Sequence, residues 1–105
     1  AELYDAFTYM LLVTLEDLGF CKKGEAGPFV EGGRIRLGGE LPVNTDGGGL
    51  SALHPGQRGL FLLVEAVRQL RGEAGPRQVP DARIAVASGT GGWFCSNGTV
   101  VLGRD

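Results

Sequence analysis

The sequence is short of the side chains that many protein chemistries rely on. It holds one histidine, His54, and two cysteines, Cys21 and Cys95, with no Cys-x-x-Cys pair. That is too few ligands at the wrong spacing for a zinc site, so no metal is expected. Two unpatterned thiols fit a reducing compartment, and a cytoplasmic protein is the expectation. Ten Lys and Arg stand against twelve Asp and Glu, for a net charge of −2. There is no basic stripe with interleaved aromatics, which argues against a nucleic-acid partner. Apolar runs such as Leu60–Val64 are far too short to cross a bilayer, so no membrane insertion is expected. The start shows no charged segment, apolar stretch and cleavage site of a secretory signal. No internal repeat is visible.

What the chain has in excess is glycine, 19 of 105 residues, more than twice the average usage of about 7%. The glycines follow no period and are not diluted in Ser or Gln, so neither collagen nor a flexible linker fits. They cluster between apolar runs, which implies tight turns and close backbone approaches. With 43% hydrophobic residues, a core is affordable, for one small domain or a piece of a larger one. The chain opens on AELYDAF, already inside a structured pattern and without Met, so residues 1–105 are expected to be one domain cut from a larger protein.

Phe7, Met10, Leu11, Thr14, Leu15 and Leu18 fall at helical spacing, with Asp5 as a candidate cap and Gly19 as the terminator. Residues 21–33 read as a polar surface loop with at most a short strand at Phe29–Val30, and Arg34–Leu37 alternates as a short strand would. Gly38–Gly59 is a long irregular stretch, of the kind that is usually functional or disordered. Leu41, Val43, Leu50 and Leu53 argue against disorder. Leu60–Leu70 is a second helix, with Gly59, Leu62, Leu63, Ala66, Val67 and Leu70 on one face and Glu65, Arg68 and Arg71 on the other. After a polar connection over 72–81, Arg83–Ala87 is a buried-type strand leading into a glycine corner, SGTGG. Trp93–Cys95 and Thr99–Leu102 then form a hairpin closed at Ser96-Asn97-Gly98, because Asn-Gly favours tight turns.

His54 is the main chemical candidate. It lies in a glycine-rich loop, is followed by Pro55 and precedes a helix whose N-terminus adds partial positive charge. Such a histidine can act as a base or as a hydrogen-bond donor, or be an ordinary loop residue. Gly47, Gly48 and Gly49 are either turn residues or backbone meant to lie against a ligand. Cys21 and Cys95 read as small buried thiols, Arg34 and Arg36 as a solvated strand face, and Trp93 as core or interface.

The run NTDGGGLSALHPGQRG, Asn44 to Gly59, resembles the thiolase superfamily segment Asn-x-x-Gly-Gly, His-Pro, Gly and helix. The likeness is to the lipid-transfer-protein and sterol-carrier-protein-x branch. The opening YDAFTYMLLVTLEDLGF resembles the thiolase Asn-Glu-Ala-Phe segment, and VASGTGGWFCSNGTVVLG the closing hairpin. The resemblance thus runs along nearly the whole chain in the expected order. It implies an α/β fold, the C-terminal part of a thiolase-like protein with helices packed on a mixed β-sheet ending in a hairpin.

It also implies a site. His54 matches the histidine that binds the thioester carbonyl in thiolases, and Tyr4 falls where many thiolases have Asn. Asn44, Gly47, Gly48, Gly49, Ser88, Gly89, Gly91 and Gly92 are the expected substrate and coenzyme A contacts. The chain departs from the pattern where it matters for chemistry. The acid/base cysteine should fall near Ser88 or Gly89, and neither is Cys; the His-Pro loop is also one residue short. Glycine cannot move a proton and an unactivated serine does so poorly, which tells against ordinary thiolase turnover. A retro-aldol cleavage needs a base for the β-hydroxyl and a donor for the enolate oxygen, roles open to Tyr4 and His54. Tyr4 is equally readable as an aromatic at a strand end.

The expected function is therefore the C-terminal half of an enzyme that cleaves or forms a carbon–carbon bond in an acyl-CoA, inactive as an isolated piece. Its partners would be the acyl-CoA substrate, an N-terminal thiolase half, a second copy in a homodimer, and an OB-fold acyl-CoA-associated protein. Coenzyme A would enter as a thioester substrate, with no covalently bound cofactor. The alternative is a non-catalytic thiolase-like module that carries acyl-CoA or lipid, or docks a partner.

Overall fold

A computed structural model describes residues 1–92 and 94–105. A two-residue strand, β1 (Glu2–Leu3), is followed by helices α1 (Thr8–Asp17) and α2 (Ala26–Val30), the short helix α3 (Gly48–Ser51) and the long helix α4 (Arg58–Arg71). Strands β2 (Ile84–Gly91) and β3 (Ser96–Gly103) complete the chain. The sheet order is β1-β2-β3, with β1 parallel to β2 and β3 antiparallel to it. This is the expected α/β arrangement of helices on a mixed sheet that ends in a hairpin.

Helix α4 packs on β2 and reaches both other strands, while α1 packs against α2. Leu62 and Ala66 of α4 meet Ala87 of β2 in the core, with Tyr4, Leu63, Ala85 and Leu102 around them. The small residues at 66 and 87 let helix and strand approach closely. α1 ends as its sequence predicts: Gly19, at φ 80°, donates its N–H to Glu16, and Phe20 donates to Leu15, which satisfies carbonyls that the last turn leaves open. No helix among the described residues is long and apolar enough to cross a membrane.

Expectations for the fold change at several points. The 21–33 region is not a loop with a strand, because Ala26–Val30 is helical and Glu31–Gly33 forms a 3-10 turn. Arg34–Leu37 is a turn and not a strand; Arg34 lies over the Phe29 ring and pairs with Glu40. Ser96-Asn97-Gly98 does not close the hairpin, since Asn97 pairs with Thr90 and Gly98 with Gly89 inside the ladder. The longer ladder gains cross-strand bonds from Ser88 to Thr99 at 2.9 Å and from Thr90 to Asn97 at 2.8 Å, which outweigh the local Asn-Gly preference. Trp93, expected as core or interface and as the start of a strand, lies outside the described residues.

Another change is Glu65, which is buried and not on a solvent face. Arg77, in the 72–81 connection, holds it with two bonds of 2.8 Å. Burial pushes the Glu65 carboxyl up, but hydrogen bonds from Arg77, Thr45 and Gln69 outweigh it and leave the group below its ordinary value. The Thr45 hydroxyl lies 2.7 Å from both Glu65 and Glu2 and accepts from Gln69 at 3.0 Å. One hydroxyl proton cannot serve two carboxylates. Burial raises Glu2 from 4.5 to about 7, against its Thr45 hydrogen bonds, and its Oε2 is buried without a donor among the described residues. A protonated Glu2 resolves the count: it donates to Thr45, and Thr45 donates to Glu65.

Between pH 4.5 and 7 the folded chain thus holds a proton that an unfolded Glu2 releases, so this group's contribution to stability falls as pH rises through that window. We expect unfolding by urea at pH 5 and pH 8 to show a loss of up to about 3 kcal/mol in the native sequence relative to Glu2→Gln, whose amide supplies the same donor at every pH. Equal pH dependence in the two chains would refute the shared-proton arrangement.

Candidate functional site

The segment from Asn44 to His54 has little regular structure, so side chains organise its backbone. Asn44 adopts φ 51°, and its Oδ1 accepts the Leu3 N–H at 2.7 Å. Asp46 accepts from the Gly48 N–H at 2.8 Å, the local turn that Asp favours two residues ahead of its partner. Arg58, 5% exposed at the start of α4, donates to both Asp46 oxygens at 3.2 Å. Asp5 does not cap α1, which starts after Phe7 with no side-chain cap bond. Its carboxylate instead accepts the N–H groups of Gly49 at 2.7 Å and Leu50 at 3.2 Å.

Gly48 and Gly49 are buried here, and the space explains the residue type. A Cβ on Gly48 would collide with the Asp5 carboxylate, and one on Gly49 would stand 2.6 Å from His54 Cε1 and 2.7 Å from its Nδ1. The imidazole therefore lies against bare backbone. His54 is exposed on its other side. The Tyr4 ring is 6.3 Å from it, centroid to centroid, tilted by 53°. Tyr4 is half-buried beside the core and donates its N–H to the Ser88 carbonyl at 2.9 Å.

The structure thus brings Tyr4, Asn44, Gly48, Gly49 and His54 together, with Ser88 joined through its backbone. The Ser88 hydroxyl is engaged with Thr99. Gly47 is exposed and precedes α3 in a left-handed conformation. The remaining glycines lie elsewhere. A Cβ on Gly89 would stand 3.3 Å from Gly59 Cα, so that glycine lets β2 pack on the start of α4. Gly91 and Gly92 belong to the hairpin end, where Cys95 is exposed and not the small buried thiol expected. Gly89 and Gly91 line an open cleft of about 580 Å³ with Gly56, Gly59, Leu60 and Leu63, to which neither Tyr4 nor His54 contributes. The tyrosine and histidine pair is the better chemical candidate because the cleft holds no titratable side chain.

Asp5, Asp46 and Arg58 were not among the expected site residues. The Asp46-Gly47-Gly48 turn was detectable from its residue types. Asp5 was not, because its partners are more than forty positions away.

The family of thiolase C-terminal domain-like proteins matches residues 1–104. The acetyl-CoA acetyltransferase of Methanothermobacter thermautotrophicus is 45% identical over 92 residues, covering 87% of this chain and 24% of that protein. Sterol carrier protein 2 of Bos taurus is 45% identical over 91 residues, covering 86% of this chain and 17% of that protein. A solved structure, the Ltp2-ChsH2(DUF35) aldolase, superposes with a TM-score of 0.78 at 36% identity over 99% of this chain and 26% of its own. The chain therefore spans about a quarter or less of the proteins it matches. With its fold, its order of segments and its His-Pro loop in place, the chain belongs to the thiolase superfamily, as a thiolase C-terminal domain-like member of the branch that includes sterol carrier protein 2.

Proposed function

We propose that this chain supplies half of the active site of an enzyme that cleaves a carbon–carbon bond in an acyl-CoA, with retro-aldol chemistry on a β-hydroxyacyl-CoA as the favoured reaction. The observation that carries the reading is the pair Tyr4 and His54, with ring centroids 6.3 Å apart and the imidazole resting against the Gly49 backbone. Tyr4, acting as its phenolate, takes the proton of the β-hydroxyl. The bond between the α and β carbons then breaks, its electron pair moves into the thioester as an enolate, and a carbonyl product leaves. His54 donates to the enolate oxygen, and return of the proton that Tyr4 took to the α-carbon completes the shortened acyl-CoA and restores the phenolate. A thiolase's acid/base thiol would fall near Ser88 or Gly89; neither is Cys, and the Ser88 hydroxyl is committed to Thr99. That favours the aldol route over acyl transfer to coenzyme A.

In this reading the coenzyme A thioester is the substrate, no cofactor is covalently bound, and the protein works in the cytoplasm. An N-terminal thiolase half completes the site, so the chain alone is inactive. The two-part name of the aldolase that superposes on the chain supports a second protein as partner, and an OB-fold acyl-CoA-associated protein is the partner we propose. The absent thiol also supports a second reading, a thiolase-like module that binds acyl-CoA or lipid without turning it over. Turnover of β-hydroxyacyl-CoA and β-ketoacyl-CoA by the intact protein separates the two. We expect His54→Ala and Tyr4→Phe each to lower turnover of the hydroxy substrate about 100-fold. Unchanged rates in both variants would remove the catalytic reading, and tight acyl-CoA binding without turnover would establish the carrier.

The exposed apolar side chains bear on partners. Leu60, Phe61 and Val64 of α4 are each about half exposed, as are Phe7, Leu50 and Leu53. Apolar surface on this scale marks association sites, and we propose that the other half of the protein and a second copy cover it. The chain by itself should then show concentration-dependent self-association in sedimentation experiments. A strictly monomeric species at high concentration would count against this.

A further inference from the structure

Asp5 takes no part in the reaction proposed above, yet it is one of the least exposed charged residues, at 3%. Both of its oxygens are spent on backbone amides, Gly49 at 2.7 Å and Leu50 at 3.2 Å. Charged acceptors make the stronger class of hydrogen bond, and this one ties the end of the β1 segment to a loop more than forty residues away. The same glycine meets the histidine. A Cβ on Gly49 would lie 3.0 Å from Asp5 Oδ1 and 2.7 Å from His54 Nδ1, so carboxylate and imidazole flank one Cα. The neighbouring residue, Tyr4, is fixed to β2 through Ser88. Tyr4 and His54 therefore sit on two pieces of chain that Asp5 joins.

We infer that Asp5 is a positioning residue that sets the separation of Tyr4 and His54 by clamping the Gly49–Leu50 backbone against which the imidazole rests. The inference builds on the reading that Tyr4 and His54 perform the chemistry, but its structural part can be measured without any turnover. The carboxylate is required because two amides point at it. An amide side chain of the same size would turn an NH2 group towards one of them, and alanine would leave both without an acceptor. The effect passes through Gly49, and Asp5 itself does not touch substrate.

The chain's single histidine offers a direct readout. The imidazole Cε1–Hε1 NMR signal of the full chain, assigned by its loss in His54→Ala, is compared in the native sequence, Asp5→Asn and Gly49→Ala. Amide exchange at Leu50 is followed in the same samples, and kcat and KM for β-hydroxyacyl-CoA in the intact enzyme. We expect Asp5→Asn to speed Leu50 exchange about tenfold and to move the His54 signal towards that of a free histidine. kcat should fall about 10- to 100-fold while KM stays within about threefold. Gly49→Ala, whose methyl group would press on the imidazole, should move the His54 signal and lower kcat in the same way. A folded Asp5→Asn chain with native His54 signal and native Leu50 exchange overturns the inference. If Asp5→Asn does not fold, a native His54 signal in Gly49→Ala overturns it instead. If His54→Ala leaves turnover intact while the His54 signal still moves in Asp5→Asn, the proposed chemistry fails and the clamp stands.

Discussion

The fold depends on how an irregular segment is held inside it. Residues 38–59 cannot satisfy their backbone in a ladder, and buried amides without partners are costly. The short strand β1 solves this by bonding in two directions. On one side it pairs with β2, Glu2 opposite Ala87 and Leu3 opposite Ser88. On the other side Leu3 gives its N–H to the Asn44 side chain, and Ala1 accepts the Asn44 N–H. Residues Ala1 to Leu3 thereby join the sheet to the loop that carries His54.

This arrangement gathers four carboxyl groups in a small volume, and each is accommodated by a different means. Glu2 is raised until it holds its proton near neutrality. Glu65 is kept ionised by Arg77, and Asp46 is paired with the buried Arg58. Asp5 is met by backbone N–H groups. Had all four been left as bare carboxylates, mutual repulsion and lost hydration would oppose folding.

What could be read from the sequence follows the range of the interaction. Helix α4 and the stop at Gly19 were legible because apolar spacing and a terminal glycine are local signals. The hairpin turn was misplaced by local reasoning, since Asn-Gly is a good turn but pairing Asn97 with Thr90 and Ser88 with Thr99 is a property of two strands together. Glu65 was placed on the polar face of the helix because its neighbours there are charged, and Arg77 and Thr45, distant in sequence, join Gln69 in making its burial tolerable. Of the site, the His-Pro loop and its glycines were visible, as was Tyr4. The clamp by Asp5 was not, because a cap for α1 is the nearest explanation that its position offers.

The hydrogen-bond accounting also narrows what the loop can do. A glycine-rich turn ahead of a helix invites the idea that its N–H groups cradle a substrate oxygen. Here the N–H of Gly48 goes to Asp46, and those of Gly49 and Leu50 go to Asp5. The Ser88 hydroxyl is likewise engaged with Thr99. In the proposed reaction the donor that this loop offers to a developing enolate oxygen is then a side chain at its exposed edge, and His54 is placed there. The glycines matter because they bring the imidazole against backbone whose N–H groups at Gly48, Gly49 and Leu50 are already bonded. Electrostatic stabilisation of a transition state is effective to the extent that its donor is held in place beforehand, and a histidine packed on such a surface meets that requirement better than one on a free loop.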